Sequence, residues 1–173
     1  PKSRHIITEL RTVYIKYVVD WIVVNKYLIA LLFTLSAFQG CQDSQGNKPI
    51  YHPHKLESVP YSESVLVDGM LYISGQIGND ASDYNKIVEG GLRPQVRQAM
   101  NNIKNILIKH DATMNDIVKC TCILANGDDW GAMSEEDVKF FEEHKPARTT
   151  FGGADLGDGI LGEIDCIAKI SNN

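Results

Sequence analysis

This 173-residue chain predicts an α+β domain in which two helices pack on one side of a mixed β-sheet. Three observations carry that expectation. They are a hairpin signature at Asp68-Gly69, a strongly periodic apolar helix after it, and a period-two alternation near the C-terminus.

Ser64–Val67 and Met70–Ser74 are β-prone runs joined by Asp68-Gly69, which supplies the positive-φ positions a tight turn needs. Gly75-Gln76-Ile77-Gly78 closes the second strand, and residues 79–90 read as a polar loop. From Leu92 to His110, Val96, Met100, Ile103 and Leu107 recur at helical spacing, with Ala99 and Ile106 beside them. Pro94 suits the first turn, where its missing N–H costs nothing. Asp116–Ala125 reads as a strand with Val118, Cys120, Cys122 and Leu124 on one face. Asp129–His144 reads as a second helix, its apolar stripe formed by Trp130, Met133, Phe140 and Phe141. Two more strands, roughly 148–154 and 161–170, flank the glycine-rich turn Asp155–Gly159. In the last strand Ile164, Cys166, Ala168 and Ile170 alternate with Glu163, Asp165 and Lys169, which puts both acids opposite the core. The face away from the helices is then polar and small, and a partner subunit or water must cover it.

The net charge of −5 is unevenly spread. Residues 1–41 hold five bases against two acids, and the remainder holds 12 against 20, a balance of −8. So acidic a domain is a poor general binder of nucleic acid, which needs clustered Lys and Arg. Tyr27–Phe38 is an uncharged apolar run, too short to span a bilayer comfortably and suited to the core of a signal peptide. Gln39-Gly40-Cys41 follows it and resembles a bacterial lipoprotein signal, with Cys41 as the lipidated first mature residue. We therefore expect residues 1–40 to be an N-terminal extension and signal peptide, 41–55 a flexible linker, and 56–173 the folded domain of an exported, membrane-anchored protein of the periplasm or cell envelope. The first methionine is Met70, and translation is expected to start near Val23 or Val24 at a non-ATG codon.

Cys120 and Cys122 sit two apart on one strand face, a poor geometry for a mutual disulfide; with Cys166 they read as small buried core residues. The thiols lack a CxxC pair or a His cluster, which argues against zinc, and no metal is expected. His52-Pro53-His54 reads as part of the polar linker.

Taken in order, Pro60-Tyr61-Ser62, Tyr72-Ile73-Ser74-Gly75-Gln76-Ile77-Gly78, Arg97-Gln98-Ala99-Met100-Asn101-Asn102-Ile103, Phe140-Phe141 through Lys145-Pro146-Ala147-Arg148-Thr149, and Glu163-Ile164-Asp165-Cys166-Ile167-Ala168 resemble the RidA (YjgF) family of enamine/imine deaminases. The resemblance runs from about Leu56 to Ile170 and implies a chorismate-mutase-like fold, a homotrimer, and ligand sites in the clefts between subunits. It implies hydrolysis of reactive 2-imino or enamine acids to 2-oxo acids and ammonia, without a cofactor. Carried over residue by residue, Arg148 corresponds to the carboxylate-binding arginine and Glu163 to the acid that handles water. Tyr61 matches a cleft tyrosine, Gly75 a glycine whose backbone faces the ligand, and Thr150 a ligand-lining position that is cysteine in some members. Glu63, Asp137 and Asp128 depart from residues common in the family, respectively glutamine, tyrosine and asparagine.

An arginine fork matches the two oxygens of a carboxylate, and a nearby glutamate can move a proton on and off water. The residues alone allow blander readings. Arg148 would be a structural salt bridge to Asp165 or to a neighbouring subunit, Glu163 a solvated strand acid, and Tyr61 a packing residue with a polar tip. The expectation is a lipid-anchored deaminase; the alternative is a non-catalytic trimeric module that binds small carboxylates or a partner protein. A ribonuclease is disfavoured by the acidic balance.

Overall fold

Strands β1 (Ile50–Pro53), β2 (Ser62–Val67) and β3 (Met70–Ile77) form an antiparallel meander. The expected hairpin turn is there, with Asp68 and Gly69 at φ 49° and 73°. Helix α1 (Leu92–Ile108), strand β4 (Ile117–Leu124), helix α2 (Trp130–Asp137), strand β5 (Ala147–Gly152) and strand β6 (Gly162–Lys169) complete the domain. The sheet has six strands in the order β1-β2-β3-β6-β4-β5; β4 and β5 run parallel and every other pair antiparallel. The structure, a computed structural model, describes residues 16–18, 21–23, 25–26, 46–80 and 82–170. The apolar run Tyr27–Phe38 and Cys41 lie outside those residues.

Helix α1 supplies most of the apolar layer. Leu92, Val96, Ala99, Met100, Ile103, Ile106 and Leu107 are buried against Leu71, Ile73, Ile164 and Ala168 of the sheet. Each large side chain so buried contributes about 1.5–3 kcal/mol relative to exposure. Glu136 ties α2 to α1. Its side chain is 4 % exposed and accepts hydrogen bonds from Arg97 (3.0 Å), Lys139 (2.9 Å) and Arg93 (3.5 Å). Those cations, Lys139 first, hold its carboxyl down at about 2. Gly152 at the end of β5 packs on the Gly127 backbone, whose nitrogen would lie 2.8 Å from any added Cβ. This close approach fixes the entry of α2 against the sheet edge.

Four features differ from the sequence-based expectation. Ile50–Pro53 lies within the stretch read as a linker, yet it pairs with β2, and the His52 ring rests edge-on to His110 at 4.4 Å. Helix α2 ends at Asp137 rather than His144. A 3₁₀ turn, Val138–Phe140, follows it, and Phe141 turns into the core with extended backbone. Glu142 to Lys145 offer nothing apolar to bury, and Pro146 disfavours helix at the residue before it. In β4 the register slips between Ile117 and Lys119, so Ile117 takes the buried position and Val118 is exposed.

The fourth correction concerns cysteine. Cys120 and Cys166 are not free core thiols; they face each other across β4 and β6, Cα atoms 4.1 Å apart, and form a disulfide. Sequence spacing could test only the Cys120–Cys122 pair, because which strands lie side by side is set by tertiary structure. Cys122 remains a free, buried thiol, pushed up to about 12 first by burial.

The disulfide closes a loop spanning 46 residues. Replacing both cysteines by alanine is expected to cost roughly 2–5 kcal/mol. The check is the urea midpoint, which should fall for the variant and, in the unaltered protein, on adding a reductant.

Candidate functional site

Strand alternation sorts the expected site residues onto two faces. Cys166, Cys120 and Arg148 lie in register across β6, β4 and β5, so Arg148 shares the helix-covered face with the disulfide. Thr150 pairs with Cys122 and lies on that face too. Glu163 is three positions from Cys166 on an unbroken strand and pairs with Ile77 and Ile123, which puts it on the open face. The chain therefore places the residues on two faces of the sheet, not in one site.

On the helix face, Arg148 reaches back to α2. Its Nη1 donates to Asp137 Oδ2 at 2.7 Å and its Nη2 to Ser134 Oγ at 2.9 Å. Nη1 also points at Met133 Sδ at 3.9 Å, and the guanidinium lies over the Trp130 ring at 5.4 Å. The Asp137 side chain is 7 % exposed and that of Arg148 26 %. Burial pushes the Asp137 carboxyl up, against the pull of the Arg148 cation. Beside the pair opens a cavity of about 290 Å³, lined among others by Met100, Cys122, Val138, Phe141 and Ile164, with Lys145 also on its wall. The salt bridge considered with Asp165 is not formed. Asp165 faces the opposite way, in register with Thr121 of β4.

On the open face, a bulge between Ile73 and Gln76 lifts Ser74 and Gly75 out of regular pairing. The Glu163 side chain lies over Gly75; a Cβ there would sit 2.7 Å from Glu163 Cδ. No side chain can share that space. Burial first, then the charge of Asp165, raises the Glu163 carboxyl above its ordinary value. Tyr61 reaches the Tyr84 hydroxyl at 3.0 Å, and His54 meets both rings edge-on at 5.8 and 5.1 Å. Burial, the Tyr61 hydroxyl and then Glu163 push Tyr84 up to about 12, so it stays an O–H donor.

The structure thus brings Gly75 and Glu163 together, links Tyr61 to Tyr84, which feels the Glu163 charge, and holds Arg148 and Thr150 on the other face. Tyr84, Trp130 and Ser134 were missed as site residues. Tyr84 sits in a loop that reads as polar filler, and its one hint is a lone aromatic amid Asp83 and Asn85. Of the noted departures, Asp137 alone touches the site. Glu63 is paired with Lys109 at 2.7 Å, and Asp128 lies in an exposed turn where its backbone N–H donates to the capping Asn126 Oδ1 at 3.1 Å.

Residues 53–170 match the family described as Endoribonuclease L-PSP. The Mus musculus and Homo sapiens proteins named 2-iminobutanoate/2-iminopropanoate deaminase are each 38 % identical over 109 residues, 63 % of this chain and 80 % and 79 % of theirs. Among solved structures, RidA from the Antarctic bacterium Psychrobacter sp. PAMC 21119 is 32 % identical, with a TM-score of 0.62, and the match covers 68 % of this chain and 94 % of that one.

Gly75→Ala is expected to force the Glu163 side chain off the bulge and to destabilise by roughly 1–3 kcal/mol. Adding Glu163→Ala should recover most of that loss, and a double-mutant cycle in urea measures it. Additive losses would mean that the two residues do not share the space.

Proposed function

The chain belongs to the endoribonuclease L-PSP (RidA) family, and on that premise we propose that it is an imine deaminase acting on 2-imino and enamine acids. The observation that carries this reading is the Glu163 carboxyl. It is half-buried and laid over a glycine bulge, and burial raises it above the ordinary carboxylate value. Such a group can take a proton from water as the water adds to the imine carbon, then return it to the departing nitrogen. Water supplies the oxygen of the new carbonyl, the carbon–nitrogen bond breaks, and ammonia leaves. Imines need little assistance beyond positioning and proton transfer, so neither metal nor cofactor enters the scheme.

Arg148 holds the substrate carboxylate in this scheme, with Thr150 beside it. Because Arg148 and Glu163 project from opposite faces of one sheet, the two must come from different copies of the chain. A homotrimer with clefts between subunits meets that need. Apolar side chains such as Tyr72 (45 % exposed), Val118 (44 %) and Phe151 (57 %) supply surface for the contact. Tyr61 and Gly75 line the Glu163 side of the cleft. The two deaminases named above support the substrate class.

We also place the protein outside the cytoplasm, anchored through lipid on Cys41. Support comes from the apolar run ending at Gly40-Cys41 and from the Cys120–Cys166 disulfide, a bond that persists in oxidising compartments. A Cys41→Ser precursor should lose its lipid label and leave the membrane fraction. An unchanged membrane fraction would remove the anchor.

The competing reading is a trimeric carboxylate-binding module without turnover. Arg148 suits that reading as well, through the N–H donors that Asp137 and Ser134 leave free. The discriminating assay follows hydrolysis of 2-imino acids generated in situ by an amino-acid oxidase. Arg148→Ala is expected to lower turnover at least about 100-fold. Glu163→Gln should lower it by roughly 10²–10⁴ while preserving 2-oxo acid binding. Mixing the two inactive variants should restore part of the activity, since some mixed clefts carry both native groups. Full activity in either single variant would remove that residue from the mechanism.

A further inference from the structure

Arg148 does not present a bare guanidinium. Of its five N–H donors, one engages Asp137, one Ser134 and one the Met133 sulfur, which leaves two for a ligand. The ion pair is electrically neutral, and both partners line the same cavity of about 290 Å³. A ligand carboxylate that takes the guanidinium by itself would leave Asp137 as a buried, uncompensated anion, which is costly. A ligand that brings a cationic N–H group beside its carboxylate would instead compensate both charges. The substrate and product of the proposed reaction differ in this respect. A protonated 2-imino acid is a zwitterion with an N–H donor next to its carboxylate, whereas the 2-oxo acid is a net anion with no donor.

We propose that Asp137 is a specificity-determining residue of the Arg148 site: it makes the site select zwitterionic 2-iminium acids and turn away the anionic 2-oxo acid product. This rests on the reading of Arg148 as the carboxylate anchor. The charged and titratable groups about Asp137 are Arg148 from β5, the Cys122 thiol from β4 and, lining the same cavity, Lys145 from the segment before β5. Arg148 alone among them is within hydrogen-bond reach, so the balance of the site turns on this pair. A cavity of this size sits at the lower end of small-molecule sites, which fits ligands of a few carbons.

The test uses the full chain and two stable probes titrated at neutral pH. One is 2-oxobutanoate; the other is 2-aminobutanoate, whose ammonium stands in for the iminium. The unaltered protein should bind the zwitterion more tightly than the oxo acid. Asp137→Asn should tighten oxo-acid binding about tenfold and weaken or leave unchanged that of the zwitterion, which inverts or erases the preference. Asp137→Ser, which demands less space, serves if the asparagine variant fails to fold. Arg148→Ala should abolish binding of both probes. Two results would overturn Asp137 alone: native preference for the oxo acid, or equal effects of Asp137→Asn on both probes, while Arg148→Ala still abolishes binding. Unchanged binding in Arg148→Ala would remove the carboxylate anchor, and this inference with it.

Discussion

Strand β6 is the element on which the arrangement of this domain depends. It lies between β3 and β4, pairs antiparallel with both, and hands each neighbour its sidedness. Gly162, Ile164, Cys166 and Ala168 point into the helix-covered layer, while Glu163, Asp165 and Ile167 point away. Once that alternation is set, everything in register with it follows. Arg148, two strands over, must join the dry side, where α2 meets it with Asp137 and Ser134. Glu163 must join the open side, where the bulge at Gly75 makes room for it. A one-residue slip of β6 would exchange the faces of every residue it carries.

The polar residues of α1 perform a different task from its apolar stripe. Asn102 donates to the carbonyls of Ile77 and Asn79 at 3.2 Å each and to Asn79 Oδ1 at 3.1 Å. Gln95 donates to the Gly159 carbonyl and accepts from the Leu161 amide, both at 2.8 Å. These bonds tie the loop after β3 and the loop before β6 to one rigid helix. Buried amides unpaired in such places would each cost about 1–3 kcal/mol. The ends of the two strands that carry Gly75 and Glu163 are thereby held by the same scaffold.

Much of this was legible in the sequence where the cause is local. Asp68-Gly69 dictates its own backbone, the spacing of Val96, Met100, Ile103 and Leu107 dictates its own helix, and the alternation in β6 dictates its own faces. The rest is set by distant contacts. The slip at Ile117–Lys119 and the bulge at Ser74-Gly75 exist only relative to a partner strand. The Cys120–Cys166 bond requires knowing that β6, not β5, lies antiparallel beside β4. The end of α2 depends on Phe141 finding the core, which no periodicity in Glu142 to His144 reveals. For the site, Gly75 and Glu163 could be chosen from their motifs but not seen to touch, and Tyr84 carried almost no signal. Asp137 stood out as unusual in the sequence, and its ion pair with Arg148 could be seen only in the fold.

The sheet's two rims have a consequence for how copies of this chain can associate. The outer strand at one rim, β1, is four residues long, ends in Pro53 and breaks register beside it. At the other rim, β5 is preceded by Pro146 and stops at Gly152-Gly153. Short, proline-flanked borders are poor templates for an added strand. Growth by endless edge pairing is thereby discouraged.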